Sequence, residues 1–176
     1  MKEKKVAESK AIMTEMIMPN DTNPMGNLMG GNLMRLMDVA SGICAGRHCE
    51  AFVVTASVDH VSFERPIRLG DVVTLEATVT RAFKSSVEIF VEVFASDIKG
   101  GNNRRCNHAY FTFVALDGEN GKPIPVPQVI PLTQIEQQRF ESAPRRREVR
   151  LILAGRMQVK DAALLRGYLN TEASKV

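Results

Sequence analysis

Asp38 lies between Met37 and Val39, inside a run from Asn32 to His48 whose apolar residues recur at helical spacing. A carboxylate in such surroundings is costly to bury without a partner. Its same-face neighbours Ser41, Gly42 and Ala45 are small and leave room for a second molecule. Two roles fit it. One is a general base or nucleophile toward a carbonyl carbon; the other is a structural carboxylate bonded to a backbone group or to Arg35. Gly30-Gly31 opens the same run. The first N–H groups of a helix lack internal partners and carry partial positive charge. Gly31 is therefore a candidate donor to an oxyanion, unless the pair only serves a tight turn and close packing. Upstream, the amide of Asn23 in Asp21-Thr22-Asn23 could orient a water or hold a carbonyl, or simply close an Asx turn.

Weaker candidates follow. Phe83-Lys84-Ser85-Ser86 joins two strand-like runs and offers a cation and hydroxyls to a phosphate; a polar hairpin connection reads the same way. Arg145, Arg146 and Arg147 could reach phosphates or form a solvated face. His48, His60 and His108 are scattered and form no Ser-His-Asp or His-x-x-x-His pattern. Gly-x-Ser-x-Gly is absent, which excludes an α/β-hydrolase elbow. The three cysteines, an odd number without a Cys-x-x-Cys pair, argue against a disulfide framework and a zinc site. No metal is expected.

The 176 residues suffice for one domain with a real core. Apolar residues make up 44% and charged residues 24%, as in soluble globular chains. The net charge of +3 does not point to nucleic acid and suits an anionic small ligand. The Lys/Glu-rich run Met1 to Lys10 lacks the apolar core expected of a signal peptide, and no apolar stretch is long enough to span a bilayer, so a cytoplasmic location off the membrane is expected.

The elements that must position these groups read clearly. Residues 1–8 are expected to fray, and residues 9–18 to form a first strand. Pro19 to Asn27 is a structured loop. In the helix, Leu33, Leu36, Met37, Ala40 and Cys44 form one apolar stripe. Met34, Ser41, Gly42 and Ala45 form another, which predicts a helix buried on most sides. The period then changes to two. Val54, Ala56 and Val58 are expected inward on a strand over 53–63. Val73, Leu75, Ala77 and Val79 follow over 71–82, Val87, Ile89, Val91 and Val93 over 86–95, and Ala109, Phe111, Phe113 and Ala115 over 105–116. Short turns make the sheet antiparallel. Residues 121–131 hold four prolines and cannot form a helix interior. Residues 132–172 read as helical and polar. The class is α+β: a long antiparallel sheet wrapped around one central helix, the hot-dog arrangement, over 9–130, with a helical C-terminal extension over 131–176. One helix leaves the core incomplete and an edge open, so at least a dimer is expected.

The runs PNDTNPMGNLMGGNLMRLMDVASGICAGRHC, VVTASVDHVSFERPIRLGDVVTLEATVTRAFKSSVEIFVEV and AYFTFVALD, in that order, resemble the cytosolic acyl-CoA hydrolases of the hot-dog fold. The resemblance covers roughly residues 10–130. It implies a thioesterase that converts acyl-CoA to free fatty acid and CoA. The helix carboxylate falls on Asp38 and the loop amide on Asn23, partners drawn from different subunits of a dimer, with Gly31 as oxyanion donor. Coenzyme A contacts fall on Val54, Thr55, Ala56, Phe83, Lys84, Ser85 and Arg145. No cofactor is implied, since coenzyme A is part of substrate and product, and a homo-oligomer built as a trimer of dimers is expected. Met25, Met29, Met34 and Met37 could adapt to an acyl chain. A non-catalytic acyl-CoA sensor on the same fold is the alternative. Dehydration of a hydroxyacyl substrate fits less well, because no histidine accompanies the acid in its part of the helix.

Overall fold

The computed structural model describes residues 2–173, apart from the side chains of His60, Glu172 and Ala173. Met1, residues 174–176 and the histidine candidate at position 60 lie outside that description. The chain divides into two compact units, Met1–Ile130 and Pro131–Val176.

The first unit contains β1 (Glu3–Lys5), β2 (Ala11–Met16), α1 (Gly30–Cys49), β3 (Phe52–Phe63), β4 (Val72–Ala82), β5 (Ser86–Ser96), β6 (Arg104–Leu116) and β7 (Gln128–Ile130). Five strands form one antiparallel sheet in the order β2-β4-β5-β6-β3. The sheet curls around α1, which packs on all five strands. This is the hot-dog fold. The alternation predicted for β4, β5 and β6 appears in one row of each, where Val73, Leu75, Val87, Ile89, Val91, Val93, Ala109, Phe111 and Phe113 are buried; Glu88, Phe90 and Thr112 of the opposite face are buried too, and the register shifts at Val79/Arg81 and Val93/Phe94.

Three expectations are corrected or narrowed. Residues 3–8 do not fray. β1 pairs in parallel with β7, Val6 is buried, and the Lys4 ammonium donates to the Arg47 carbonyl at the end of α1 and meets Glu50 at 2.8 Å. A three-residue strand carries no signature of its own, because distant contacts fix it. Second, α1 is buried on most sides but not on all: Leu33, Leu36, Met37, Ala40, Ser41, Cys44 and Ala45 are buried, while Arg35, Val39, Ile43 and Arg47 form one open stripe. Third, Val54 points outward. Thr55 pairs with Phe113 and Ser57 with Thr112, so Ala56 is an extra residue in a β-bulge. One inserted residue moves every side chain before it to the other face. Thr55 therefore faces the helix and Val54 faces away.

His48, on the last turn of α1, is buried. Its Nε2 donates to the Pro127 carbonyl (2.9 Å), which leaves Nδ1 to accept from the Ser9 hydroxyl at 3.4 Å. The ring thus fastens the helix to the segments beside β1 and β7. Burial pushes its pKa down; the Pro127 bond opposes this, Lys4 adds to it, and Glu8 and Glu50 oppose it. An unfolded histidine takes up its proton near pH 6.5, before the folded one does. The stability this ring contributes is therefore present above that pH and is lost as pH falls through the lower folded value. Thermal denaturation between pH 7.5 and 5 should show Tm falling with acid. In His48→Gln, whose amide can still donate to Pro127, the fall should be shallower.

The second unit is two helices, not one helical run. α2 (Gln134–Leu153) opens on a capping box in which Glu136 N–H donates to the Thr133 hydroxyl and Thr133 N–H donates to the Glu136 carboxylate. Gly155, at φ +67°, follows its end. In α3 (Ala163–Ala173), the N–H groups of Leu164 and Leu165 donate to the Glu148 carboxylate of α2.

Candidate active site

The first unit carries two clusters of functional groups, both built on α1. The first lies midway along the helix. The Thr55 hydroxyl of β3 donates to Asp38 Oδ1 at 2.7 Å. Asp38 is half-buried at the border of the open face, and its hydrogen bond runs to Thr55 rather than to Arg35 or a backbone group. A hydrogen bond from a hydroxyl to a carboxylate is charge-assisted and directional. It fixes the plane of the carboxyl and leaves Oδ2 for a water or a carbonyl carbon.

The second cluster is the loop that wraps the start of α1. The Asp21 carbonyl accepts from Met29 N–H and from the Asn32 side-chain amide (2.9 and 3.2 Å). Within this loop Asn23 Oδ1 accepts from the N–H groups of Met25 and Asn27 at 3.0 and 3.2 Å. The Asx-turn role is thus real, and it occupies only the oxygen. Asn23 Nδ2 has no hydrogen-bond partner among the described residues. The helix start is uncapped, since Met29 supplies no side-chain bond. The two glycines divide the roles open to them. A Cβ at Gly30 would stand 3.0 Å from the Phe63 ring, so that residue serves close packing. A Cβ at Gly31 would meet nothing within 4 Å, so close packing does not require glycine there.

Distance decides how these clusters can act. Gly31 and Asp38 are seven residues apart on one helix, about 10 Å at 1.5 Å per residue. A thioester carbon must lie about 3 Å from both its attacking group and its oxyanion donors. This separation favours one carbonyl being served by clusters from two protomers over both clusters coming from one.

The remaining candidates fall into two places. Val54, Ser86 and Val114 share one row of the sheet, so Val54-Thr55-Ala56 and the Phe83-Lys84-Ser85 turn lie at the same end, two strand spacings or about 10 Å apart. The turn is pinned by its backbone: Phe83 N–H donates to Ser86, and the Lys84 and Ser85 carbonyls accept from Val126 and Ala115. Lys84 itself is exposed. Arg145 belongs to the second unit, where its guanidinium stacks 3.7 Å over the Tyr168 ring. Burial pushes the Cys44 and Cys49 thiols up to about 12 and about 11, which makes both poor nucleophiles.

Comparison with known proteins bears on this geometry. The model of the thioesterase superfamily matches residues 25–101, a span that includes Gly31, Asp38 and Thr55. A Bacillus subtilis protein called the uncharacterized acyl-CoA thioester hydrolase YkhA is 45% identical over 129 residues, 73% of this chain and 74% of its own length. The chain belongs to the acyl-CoA thioesterase family. The acyl-CoA hydrolase of Staphylococcus aureus in complex with butyryl coenzyme A, coenzyme A and coenzyme A disulfide is 38% identical, with a TM-score of 0.80 over 87% of this chain and 94% of that one. An apo-hexameric acyl-CoA thioesterase is 36% identical, with a TM-score of 0.84 over 88% of this chain and 98% of that one. The S. aureus enzyme has also been solved as alanine mutants of an asparagine, an aspartate and a threonine. Those positions fall along its chain at the same spacing as Asn23, Asp38 and Thr55 here.

In this thioesterase, the Thr55–Asp38 pair is what reasoning from sequence missed. Thr55 is counted there only among coenzyme A contacts. The sole signal would have been the Thr-Ala-Ser stretch as a site for a bulge, which small residues tolerate.

Proposed function

We propose that the protein hydrolyses acyl-CoA to a free fatty acid and CoA at composite sites across a two-fold dimer interface. The observation that carries this is the 10 Å separation of the two clusters within one protomer. A two-fold axis offers each cluster the complementary one of a second copy. The surfaces needed are present. β3 is an edge strand of the sheet and displays Val54, Phe52 and Phe63. Val39 and Ile43 stand exposed on the neighbouring face of α1. Pairing β3 with its own copy would extend the sheet and cover both.

In the reaction, a water bonded to Asp38 Oδ2 attacks the thioester carbon while its proton passes to the carboxylate. The developing oxyanion lies against the Gly31 N–H and the amide of Asn23 of the partner subunit. The tetrahedral intermediate expels the CoA thiolate, which takes the proton back from Asp38. Direct attack by Asp38 through an anhydride uses the same groups. Val54-Thr55-Ala56 and the Phe83-Lys84-Ser85 turn would hold the CoA moiety, with Arg145 a further phosphate contact. No cofactor is needed for this sequence of steps. We also propose a trimer of dimers and, from three buried free thiols, a reducing cytoplasmic setting. No helix among the described residues is long and apolar enough to cross a membrane.

The test is thiol release from a series of acyl-CoA esters from acetyl to palmitoyl, followed with a thiol reagent. Turnover that depends on chain length is expected. Tight CoA binding without release from any ester would favour a sensor instead.

A further inference from the structure

Asn107 is the most conspicuous polar group that this mechanism leaves unused. It lies on β6, paired with Val93 of β5 and Phe63 of β3, and therefore on the helix side of the sheet. It is 1% exposed, and both its Oδ1 and its Nδ2 lack a hydrogen-bond partner among the described residues. A buried amide with neither end satisfied destabilises the fold, and leucine would fill similar space without that penalty.

Its position bears on substrate. A cavity of about 380 Å³ opens between the start of α1 and the end of β3, lined by Leu28, Gly30, Leu33, Phe63, Arg65 and Ile67 among others. It adjoins Gly31, the donor proposed for the thioester oxygen. An acyl chain attached to that carbonyl would enter this cavity first. Phe63 forms part of its wall and is 59% exposed, with its ring over Gly30. Asn107 is the cross-strand partner of Phe63 in the same row and lies outside the cavity lining. Contact between the amide and a ligand in the cavity would require the Phe63 ring to move aside.

We infer that Asn107 is a specificity-determining residue that selects acyl chains bearing a hydroxyl group near the thioester. This rests on the acyl-CoA hydrolase reading above. The chemistry of the amide selects the class. Nδ2 donates and Oδ1 accepts, and a hydroxyl can do both in return, whereas a plain alkyl chain answers neither. A site built to pair with a substrate hydroxyl discriminates against the analogue lacking it, because its own polar groups are then left unpaired.

The experiment compares kcat/KM for 3-hydroxybutyryl-CoA with butyryl-CoA, and for 3-hydroxyoctanoyl-CoA with octanoyl-CoA, in the wild type and in Asn107→Leu. The wild type should favour the hydroxylated member of at least one pair by about tenfold, the worth of one good hydrogen bond. Asn107→Leu should abolish that preference and raise Tm. If it does not fold, Asn107→Ser, whose shorter side chain withdraws the contact, reads the same ratio. Hydrolysis of all four esters with the same ratio in wild type and variant overturns this inference and leaves the hydrolase reading intact. No thiol release from any ester overturns the hydrolase reading and this one with it.

Discussion

Asp38→Asn is expected to lower kcat by two or more decades while leaving KM within a few-fold of the wild type. Loss of a positioned base costs about a hundred- to ten-thousand-fold, and the asparagine variant isolates that loss. Its carbonyl oxygen can still accept from the Thr55 hydroxyl, so the geometry of the pair survives and only the proton acceptor is gone. Asp38→Ala would remove both and open a gap beside Ser41 and Gly42. The Thr55 bond, at 2.7 Å, makes a graded companion test. Thr55→Val keeps the shape and removes the donor, which should cost about tenfold in kcat, the scale of one hydrogen bond to a charged group. Thr55→Ser should restore most of it. A merely structural Asp38 predicts another pattern: lowered Tm in every variant and near-normal turnover in whatever remains folded. Steady-state kinetics beside thermal denaturation separates the two, because a group acting only in the transition state lowers kcat and kcat/KM together.

The sheet was the part of the molecule most open to reading from sequence, and the reason is physical. β4, β5 and β6 each keep one apolar row on the helix, so period two carries most of that burial, although Glu88, Phe90 and Thr112 on the other face are buried as well. β3 shifts register twice, between Asp59 and Ser62 and again at Ala56. There one extra residue sends Val54 to the outside and Thr55 to the helix, and no alternation count can foresee an insertion that the partner strand does not share. The candidate site was legible to the same degree. Asp38, Asn23 and Gly31 are conspicuous by type, because a carboxylate in an apolar helix and a glycine pair at its start conflict with local propensity. Their grouping was not. The Asp38–Thr55 bond joins residues on different elements across that bulge, and Asn107, though period two sets it on the inward row with Ala109 and Phe111, gives no sign in the sequence of whether its amide finds a partner. The β1–β7 pair lay beyond reach for another reason: each strand has three residues, too few for any periodicity, and the buried contacts of Val6, Lys4 and His48 hold it in place.

If the two clusters act in pairs across subunits, two inactive proteins should make an active one. The second variant has to be chosen with care, because Asn23 Oδ1 holds the loop through Met25 and Asn27. Asn23→Ala would loosen the loop and confuse folding with catalysis. Asn23→Asp keeps an oxygen in that place for both N–H groups and replaces only the Nδ2 donor, while setting a second negative charge opposite the partner's Asp38. Alone it should lose about a hundredfold or more in kcat, the cost of removing one oxyanion donor. Asp38→Asn alone should lose at least as much. Co-expressed in equal amounts, the two chains pair at random and half of the dimers are hybrids. Each hybrid carries one site with both changes and one with neither, so the mixture should recover about a quarter of wild-type activity. That regain exceeds twentyfold over either parent and cannot come from partial stability. Sites confined to single subunits predict no recovery, since every site would then carry one change or the other. Assembly into a trimer of dimers leaves the expected fraction unaltered, because only pairing within each dimer sets how many sites are whole.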